Sequence, residues 1–481
     1  MVPFKGYGRL TRSTTLALAA AAVVLGAEAA GLVPPDLTLA IAVGCKVYVL
    51  LRVLRARISP AYLLLWGPLA WFFPVPTALV LFVFGGRKHV ALAAAKKEVN
   101  RVAWRLCDSP DFGGNRCHLL GDRHGRDTLE ALRAQIRGAK RRISIATYIL
   151  SDDAVGRELI RLLAERARAG VEVRLLVDAI GSFGIPLRLC RPLRRAGGEI
   201  ARFNPALPMR GNGSANWRNH RKIAVFDGRA AIIGGQNLGL RYMGETPSNR
   251  RYRDCSFLIE GPTAAALESV FIADWCQATD ENPMKFAPAL RERSPHIGQA
   301  RVEVIASGPD CEEDPLWDAY VKLFSECRES ITVVTPYFIP DQTLFTLLAT
   351  AARAGRHVKI MVPRRSDHRL LDFARRWYLR KLKEAGAEIL FFKPDVLHAK
   401  LVLVDGEHLV IGSANLDMRS LFLNYEVGAV VRDPAMVAEV STLIAGWEKE
   451  STRYTEDLYR RSRTWLGRTV ENVAHVIAPL L

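Results

Sequence analysis

The sequence predicts an α/β protein built from two duplicated α/β domains related by a pseudo-two-fold and preceded by a helical, apolar N-terminal region. Three observations carry that prediction. A polar phrase of His, Lys, Asp and Asn occurs twice at a common offset of 178 residues. The stretches leading to each copy alternate helix-like and strand-like patterns in the same order. The chain is apolar up to about Arg105 and mixed in composition beyond it. At 481 residues it exceeds what one core usually holds, and the divisions fall at 1–104, 105–295 and 296–481.

In the N-terminal region, Leu16 to Val33 is almost wholly apolar and follows Lys5, Arg9 and Arg12. At ~1.5 Å per residue it is long enough to cross most of a bilayer. Ala27-Glu28-Ala29 also resembles a signal-peptide cleavage site. Apolar character resumes, however, from Leu37 to Leu51 and from Ala61 to Phe84, and those stretches need lipid with or without cleavage. Positive residues precede the first stretch, follow the second (Arg52, Arg55, Arg57) and follow the third (Arg87, Lys88, Lys96, Lys97). Placed on one side, they make the first two stretches a hairpin around Pro34-Pro35-Asp36. The third, interrupted by Pro68, Pro74 and Pro76, then becomes a bent or re-entrant segment. The expectation is a multi-pass membrane protein with a cytoplasmic catalytic region. Glu28 and Lys46 lie inside apolar stretches, where they pair, mark a headgroup site or snorkel to the interface.

Beyond Arg105 the elements follow in order. Thr128 to Ile136 reads as a helix, Ile143 to Tyr148 as a strand, Gly156 to Ala169 as a helix and Val171 to Val177 as a buried strand. Another helix-like piece ends at Ala196-Gly197-Gly198 before Glu199 to Phe203, and a loop then reaches His220. The second half repeats the series as Ile331 to Val334, Leu344 to Ala354, Val358 to Val362, Leu371 to Ala385 and Glu388 to Phe392, ending at His398. The punctuation repeats too, Ala167-Arg168-Ala169-Gly170 matching Ala352-Arg353-Ala354-Gly355. One difference is the longer approach to the first His, Pro208 to Trp217, which is either a lip over the site or a plain surface loop.

Each phrase opens with His-x-Lys: His220 and Lys222, then His398 and Lys400. An apolar run, Asp227-Gly228 or Asp405-Gly406, a second apolar run and a glycine-led tail ending in Asn237 or Asn415 follow. This is a pair of buried strands joined by a tight turn, with His and Lys on one strand face and Asn within reach of it. A lone His is commonly a satisfied core residue, but two whole phrases in register are a different case. Two Lys and two Asn supply donors for the charged oxygens of a phosphodiester. Two His can stand on opposite sides of phosphorus, one attacking and one protonating the leaving oxygen. Asp227 and Asp405 sit in the strand turns and brace them. Asp254 and Glu426 fall in matching places before a later strand, where a carboxylate can orient a His ring.

These phrases resemble the paired His-Lys-Asp motifs of the phospholipase D superfamily. The second continues as Gly412-Ser413-Ala414-Asn415-Leu416-Asp417-Met418-Arg419-Ser420. With Thr335-Pro336-Tyr337-Phe338-Ile339-Pro340, Tyr148 and the basic apolar leader, the chain is similar to bacterial cardiolipin synthases. The resemblance implies transfer of a phosphatidyl group between two phosphatidylglycerol molecules through a phosphohistidine. It implies His220 as nucleophile and His398 as general acid and then base, with the reverse order left open by the near-symmetry. Lys222, Lys400, Asn237 and Asn415 would hold the phosphate, and Asp254 and Glu426 would orient the imidazoles. A membrane-bound phospholipase D hydrolase and a transferase using another alcohol are the alternatives.

Composition narrows the partners. With 67 Lys plus Arg against 49 Asp plus Glu, the net charge of +18 favours an anionic partner, and the apolar leader favours lipid over nucleic acid. The eight cysteines form no C-x-x-C pair, and neither H-E-x-x-H nor a P-loop occurs. No metal or cofactor is expected. Degenerate motifs would have pointed to a non-catalytic lipid-binding scaffold, but both are whole.

Overall fold

The computed structural model describes residues 34–55, 60–84, 99–102, 112–121, 124–184, 187–204, 216–246, 248 and 250–455. The apolar stretch Leu16 to Val33, Lys5, Arg9, Arg12, Glu28, the basic residues Arg57, Arg87, Lys88, Lys96 and Lys97, and most of the loop from Pro208 to Trp217 lie outside the described residues. By internal contacts the chain divides into two units, residues 1–90 with 204–218, and residues 91–203 with 219–481.

In the first unit, Leu37 to Leu51 lies within helix α1 (Pro35–Arg55). Its stretch Asp36–Leu54 is, among the described residues, the one helix long and apolar enough to cross a membrane. The run from Ala61 to Phe84, read as one interrupted stretch, forms two short helices, α2 (Pro60–Phe72) and α3 (Pro74–Phe84). Pro68 lies inside α2 without ending it. The break falls at Phe73, where Pro74 has no N–H to continue the ladder. The Phe73 N–H still reaches Leu69 O at 2.8 Å, and the Thr77 hydroxyl donates to the same carbonyl at 2.9 Å. Val49 and Val53 of α1 pack with Trp66, Ala70, Ala78 and Leu81. Leu39, Leu50 and Leu54 face outward, as do Trp71, Phe72 and Phe73. Lys46 extends its ammonium over the Trp71 ring, 4.4 Å from the centroid, which gives the charge a partner inside the apolar stretch.

The second unit contains two large sheets and a two-stranded parallel one, β10 (Phe338–Ile339) with β15 (Leu416–Asp417). The first has the order β1 (Arg116–Leu120), β7 (Ser256–Glu260), β6 (Ala230–Gly234), β5 (Ile223–Phe226), β2 (Arg142–Thr147), β3 (Glu172–Asp178) and β4 (Glu199–Phe203). The second runs β8 (Arg301–Ser307), β16 (Glu426–Arg432), β14 (His408–Gly412), β13 (Leu401–Val404), β9 (Ser330–Val334), β11 (His357–Pro363), β12 (Glu388–Phe392) and an added edge, β17 (Ser451–Arg453). The sense of pairing matches strand for strand: β2, β3 and β4 are parallel, as are β9, β11 and β12. The hairpins β5–β6 and β13–β14 are antiparallel.

Alternation decides where the core lies. Ile223 and Val225 face a core shared by both sheets, together with Leu401 and Ile411. Ala224 and Phe226 point the other way, into a core covered by helices. The helices obey their termini. Asp153 caps Ala154–Arg168 by accepting the Gly156 N–H, and Asp341 caps Gln342–Arg353 by accepting from Thr343 and Leu344. The repeated Ala-Arg-Ala-Gly ends each of these helices on a left-handed glycine, Gly170 at φ 87° and Gly355 at φ 81°.

The turn carboxylates do the bracing that their place in the motif implied. Asp227 and Asp405 adopt φ of 53° and 54°, and each accepts three backbone N–H groups, from Lys140, Arg141 and Arg142 or from Arg328, Glu329 and Ser330. Burial pushes the Asp405 carboxyl up, but those donors outweigh it and bring it down to about 2. Asp405→Ala is therefore expected to cost about 1–3 kcal/mol of stability, read as a lower thermal midpoint, with turnover largely retained. Asp405→Asn, which tolerates the left-handed backbone, is expected to lose less.

Candidate active site

Each His-x-Lys enters its hairpin along a segment borrowed from the opposite half. The His220 N–H donates to Tyr425 O at 2.9 Å, and the His398 N–H to Arg253 O at 2.7 Å. These contacts set each His beside the residue following its backbone partner, so the carboxylates cross over. The Glu426 carboxylate lies 2.9 Å from His220 Nδ1, and the Asp254 carboxylate 2.7 Å from His398 Nδ1. An ionised carboxylate only accepts, so Nδ1 of His220 carries the proton and its Nε2 is left free, whereas His398 Nδ1 has both the Asp254 carboxylate and Lys400 Nζ at 2.7 Å. Glu426, Asp254, His398, Lys222 and Lys400 are all buried.

Both lysines fold back onto their own strand. Lys222 Nζ donates to His220 O at 2.7 Å, and Lys400 Nζ to His398 O, as an i, i+2 pair on one strand face allows. Burial draws the Lys222 ammonium down to about 7, with the charge of Lys400 adding to the fall. Burial also lowers Lys400. Two buried ammonium groups that destabilise each other form a receptor for an anion. His220 is lowered by burial, against the opposing pull of Glu426. His398 is lowered further, by burial and then by Lys400 and Lys222.

Both tails end in a buried amide. Asn237 Oδ1 accepts the Ile149 N–H at 3.1 Å. Asn415 Nδ2 donates to Ser420 Oγ at 3.3 Å, while its buried Oδ1 has no hydrogen-bond partner among the described residues. The two sides differ at matching positions. Ser413 donates its hydroxyl to Glu426, whereas a Cβ on Gly235 would stand 2.4 Å from the Asp254 carboxylate. Only glycine leaves room there. The results are opposite: burial raises Asp254 to about 6, while His220, Lys222 and Ser413 outweigh burial and hold Glu426 below the usual carboxylate range.

Several contributors had no sequence signal beyond their residue type. Tyr252 stacks on the His398 ring at 5.3 Å and Tyr242 meets its edge at 5.6 Å. Tyr148, already picked out in the first half, meets His220 edge-on at 5.1 Å. Asp367 accepts the Tyr337 and Tyr252 hydroxyls at 2.5 and 3.1 Å. Arg221 sits inside the first phrase, where the second has Ala399. It is buried against Asp274 and donates to the Glu426 backbone carbonyl at 3.0 Å, which fixes the strand that carries the carboxylate.

Residues 132–275 and 320–446 match the family model described as cardiolipin synthase, PLD-like domain. The chain is 33% identical to cardiolipin synthase A of Pseudomonas aeruginosa, covering 86% of this chain and 91% of that one. It is 34% identical to a cardiolipin synthase of Halalkalibacterium halodurans, over 79% of this chain and 75% of that one. The major cardiolipin synthase of Bacillus subtilis matches at 33% over 74% of each chain. Among solved structures, the phosphatidylserine synthase of Haemophilus influenzae superposes with a TM-score of 0.59 at 17% identity, over 80% of this chain and 98% of that one, a likeness of fold.

Proposed function

Because this chain belongs to the cardiolipin synthase family with phospholipase D-like domains, we propose that its paired His–Lys site transfers a phosphatidyl group in two half-reactions. The protein is a cardiolipin synthase, a phosphatidyltransferase. In the first half-reaction, the donor phosphodiester of phosphatidylglycerol lies between Lys222 and Lys400. His220 Nε2 attacks phosphorus, and the bond from phosphorus to the glycerol oxygen breaks. His398 gives that oxygen its proton, and glycerol leaves. In the second, His398 takes the proton from a hydroxyl of another phosphatidylglycerol; that oxygen attacks phosphorus, the P–N bond breaks, and cardiolipin forms.

The crossed His–carboxylate pairs carry this reading. Positive charge develops on His220 as the P–N bond forms, and the ionised Glu426 stabilises it. The donor anion offsets the Lys400 and Lys222 charges that help hold His398 neutral, which raises its pKa towards that of a proton donor. The two sheets, alike in order and pairing, are read as duplicated domains about a pseudo-two-fold, at 105–295 and 296–481, with that axis passing between the imidazoles. Helix α1, the short α2–α3 pair and the preceding apolar stretch are read as a multi-pass anchor in the bacterial cell membrane. The catalytic domains would be cytoplasmic, with anionic phospholipid delivered from the bilayer.

The test is product analysis of purified protein in liposomes with labelled phosphatidylglycerol as the only lipid. Cardiolipin and free glycerol in equal amounts are expected. Phosphatidic acid in place of cardiolipin would make the protein a hydrolase and overturn the transfer step.

A further inference from the structure

The second half-reaction has an electrostatic difficulty. The acceptor is itself an anion, and its hydroxyl must approach a phosphorylated histidine whose neighbouring lysines are already matched to the first phosphate. A second phosphodiester beside the first is repelled unless other cations balance it.

The structure has such cations next to His398. A cavity of about 480 Å³ is lined by Arg250, Arg364, Arg365, Lys393, Tyr252 and Asp395, among others. The four basic side chains are exposed, and among the described residues none of the four makes an ion pair or a side-chain hydrogen bond. Asp395, the acid in the lining, lies 3.4 Å from Arg253. The frame is fixed by backbone: the Arg253 N–H donates to Val396 O at 2.9 Å and the Arg364 N–H to Phe392 O at 2.8 Å. One wall, Tyr252, is the ring that stacks on His398 at 5.3 Å. The cavity is thus one aromatic ring away from the imidazole assigned to activate the acceptor hydroxyl. In phosphatidylglycerol, only a three-carbon bridge separates the reacting hydroxyl from its own phosphodiester. The halves differ at one edge of it: Ala179-Ile180-Gly181 follows β3 where Arg364-Arg365-Ser366 follows β11.

We infer that this basic cavity seats the phosphodiester of the acceptor phospholipid, and so selects an anionic lipid alcohol over water or a neutral alcohol. The inference rests on the transferase reading above. Guanidinium and ammonium groups are the donors that recognise a phosphodiester, and cations left unpaired around one cavity raise the local concentration of an anion.

The experiment is a competition between acceptors. Wild type and the Arg364→Gln/Arg365→Gln/Lys393→Gln variant are given phosphatidylglycerol liposomes with ethanol, and cardiolipin and phosphatidylethanol are both measured. The expected result is a fall of about tenfold or more in the cardiolipin-to-phosphatidylethanol ratio, the scale set by losing charge-assisted contacts. An unchanged ratio overturns the proposal. Arg364→Lys/Arg365→Lys, which keeps the charge, is expected to keep most of the ratio and covers the case in which the triple variant does not fold; a ratio as low as that of Arg365→Gln alone would count against a charge-based seat. Submillimolar inorganic phosphate that lowers the wild-type ratio as far as the triple substitution does would assign the cavity to a free anion instead. A wild type that makes phosphatidylethanol but never cardiolipin would defeat the transferase reading itself, a result distinct from any change between variants.

Discussion

His398→Ala, given a phosphatidyl ester of p-nitrophenol, is expected to release about one equivalent of p-nitrophenolate per site and then stall, while His220→Ala releases none. The leaving group needs no proton, so the first half-reaction no longer depends on a general acid. What remains under the proposed order is attack by His220, whose Nδ1 proton is held by Glu426 at 2.9 Å and whose Nε2 is therefore free to attack. Without His398 the acceptor hydroxyl keeps its proton and the phosphohistidine persists. With phosphatidylglycerol itself, both variants are expected to fall by at least about a thousandfold, since each lacks an acid–base or nucleophilic group. The burst and the phosphorylated residue, located by peptide mapping, read the order directly. A burst in His220→Ala with phosphate on His398 would exchange the two roles.

The order is open to test because the local pattern shows symmetry and the tertiary structure breaks it. The repeated phrase was legible since His, Lys, Asp and Asn lie within eighteen residues of each other and repeat at one offset. Which carboxylate serves which His was not, because the partners are 206 and 144 residues apart and chain order alone favours neither crossing nor pairing within a half. Tyr252 and Asp367 carry no spacing signal: Tyr252 reaches His398 because the chain around Arg253 pairs with the chain before His398, and Asp367 is joined to it through the Tyr252 hydroxyl. The helix Thr263–Thr279 was missed for a physical reason: it is buried on every side from Thr263 to Cys276, so it lacks the amphipathic stripe by which helices are read. Its buried Glu268 and Asp274 nevertheless anchor Arg142 and Arg221. At the N-terminal end, the sequence showed the run from Ala61 to Phe84 and its interruption by Pro68, Pro74 and Pro76, but not that Pro68 would be accommodated while Pro74 divides the run into two helices too short to span singly.

The asymmetry of the two carboxylates leads to opposite expectations for stability. Glu426→Gln and Asp254→Asn should each cut turnover by on the order of a thousandfold, because a neutral amide no longer stabilises the charge that develops on its imidazole. Their thermal midpoints should part. Glu426 is held below the usual carboxylate range, with the opposing effect of burial outweighed by His220, Lys222 and Ser413. Its ionisation therefore stabilises the fold above the unfolded value, and that stability is lost as pH falls through the folded one. Glu426→Gln removes it, so the midpoint at pH ~7.5 should drop by several degrees. Asp254 is raised from 3.8 to about 6, chiefly by burial, so its ionisation opposes folding. The stability its neutral form contributes is present below about 4 and is lost as pH rises through about 6. Asp254→Asn carries no charge to bury and should melt at or above the wild-type temperature at pH ~7.5, the difference closing by pH ~4. Scanning calorimetry of the two variants at both pH values makes the comparison, and an Asp254→Asn protein as destabilised at pH ~7.5 as Glu426→Gln would show that the His398 pair is held together by charge as strongly as the His220 pair.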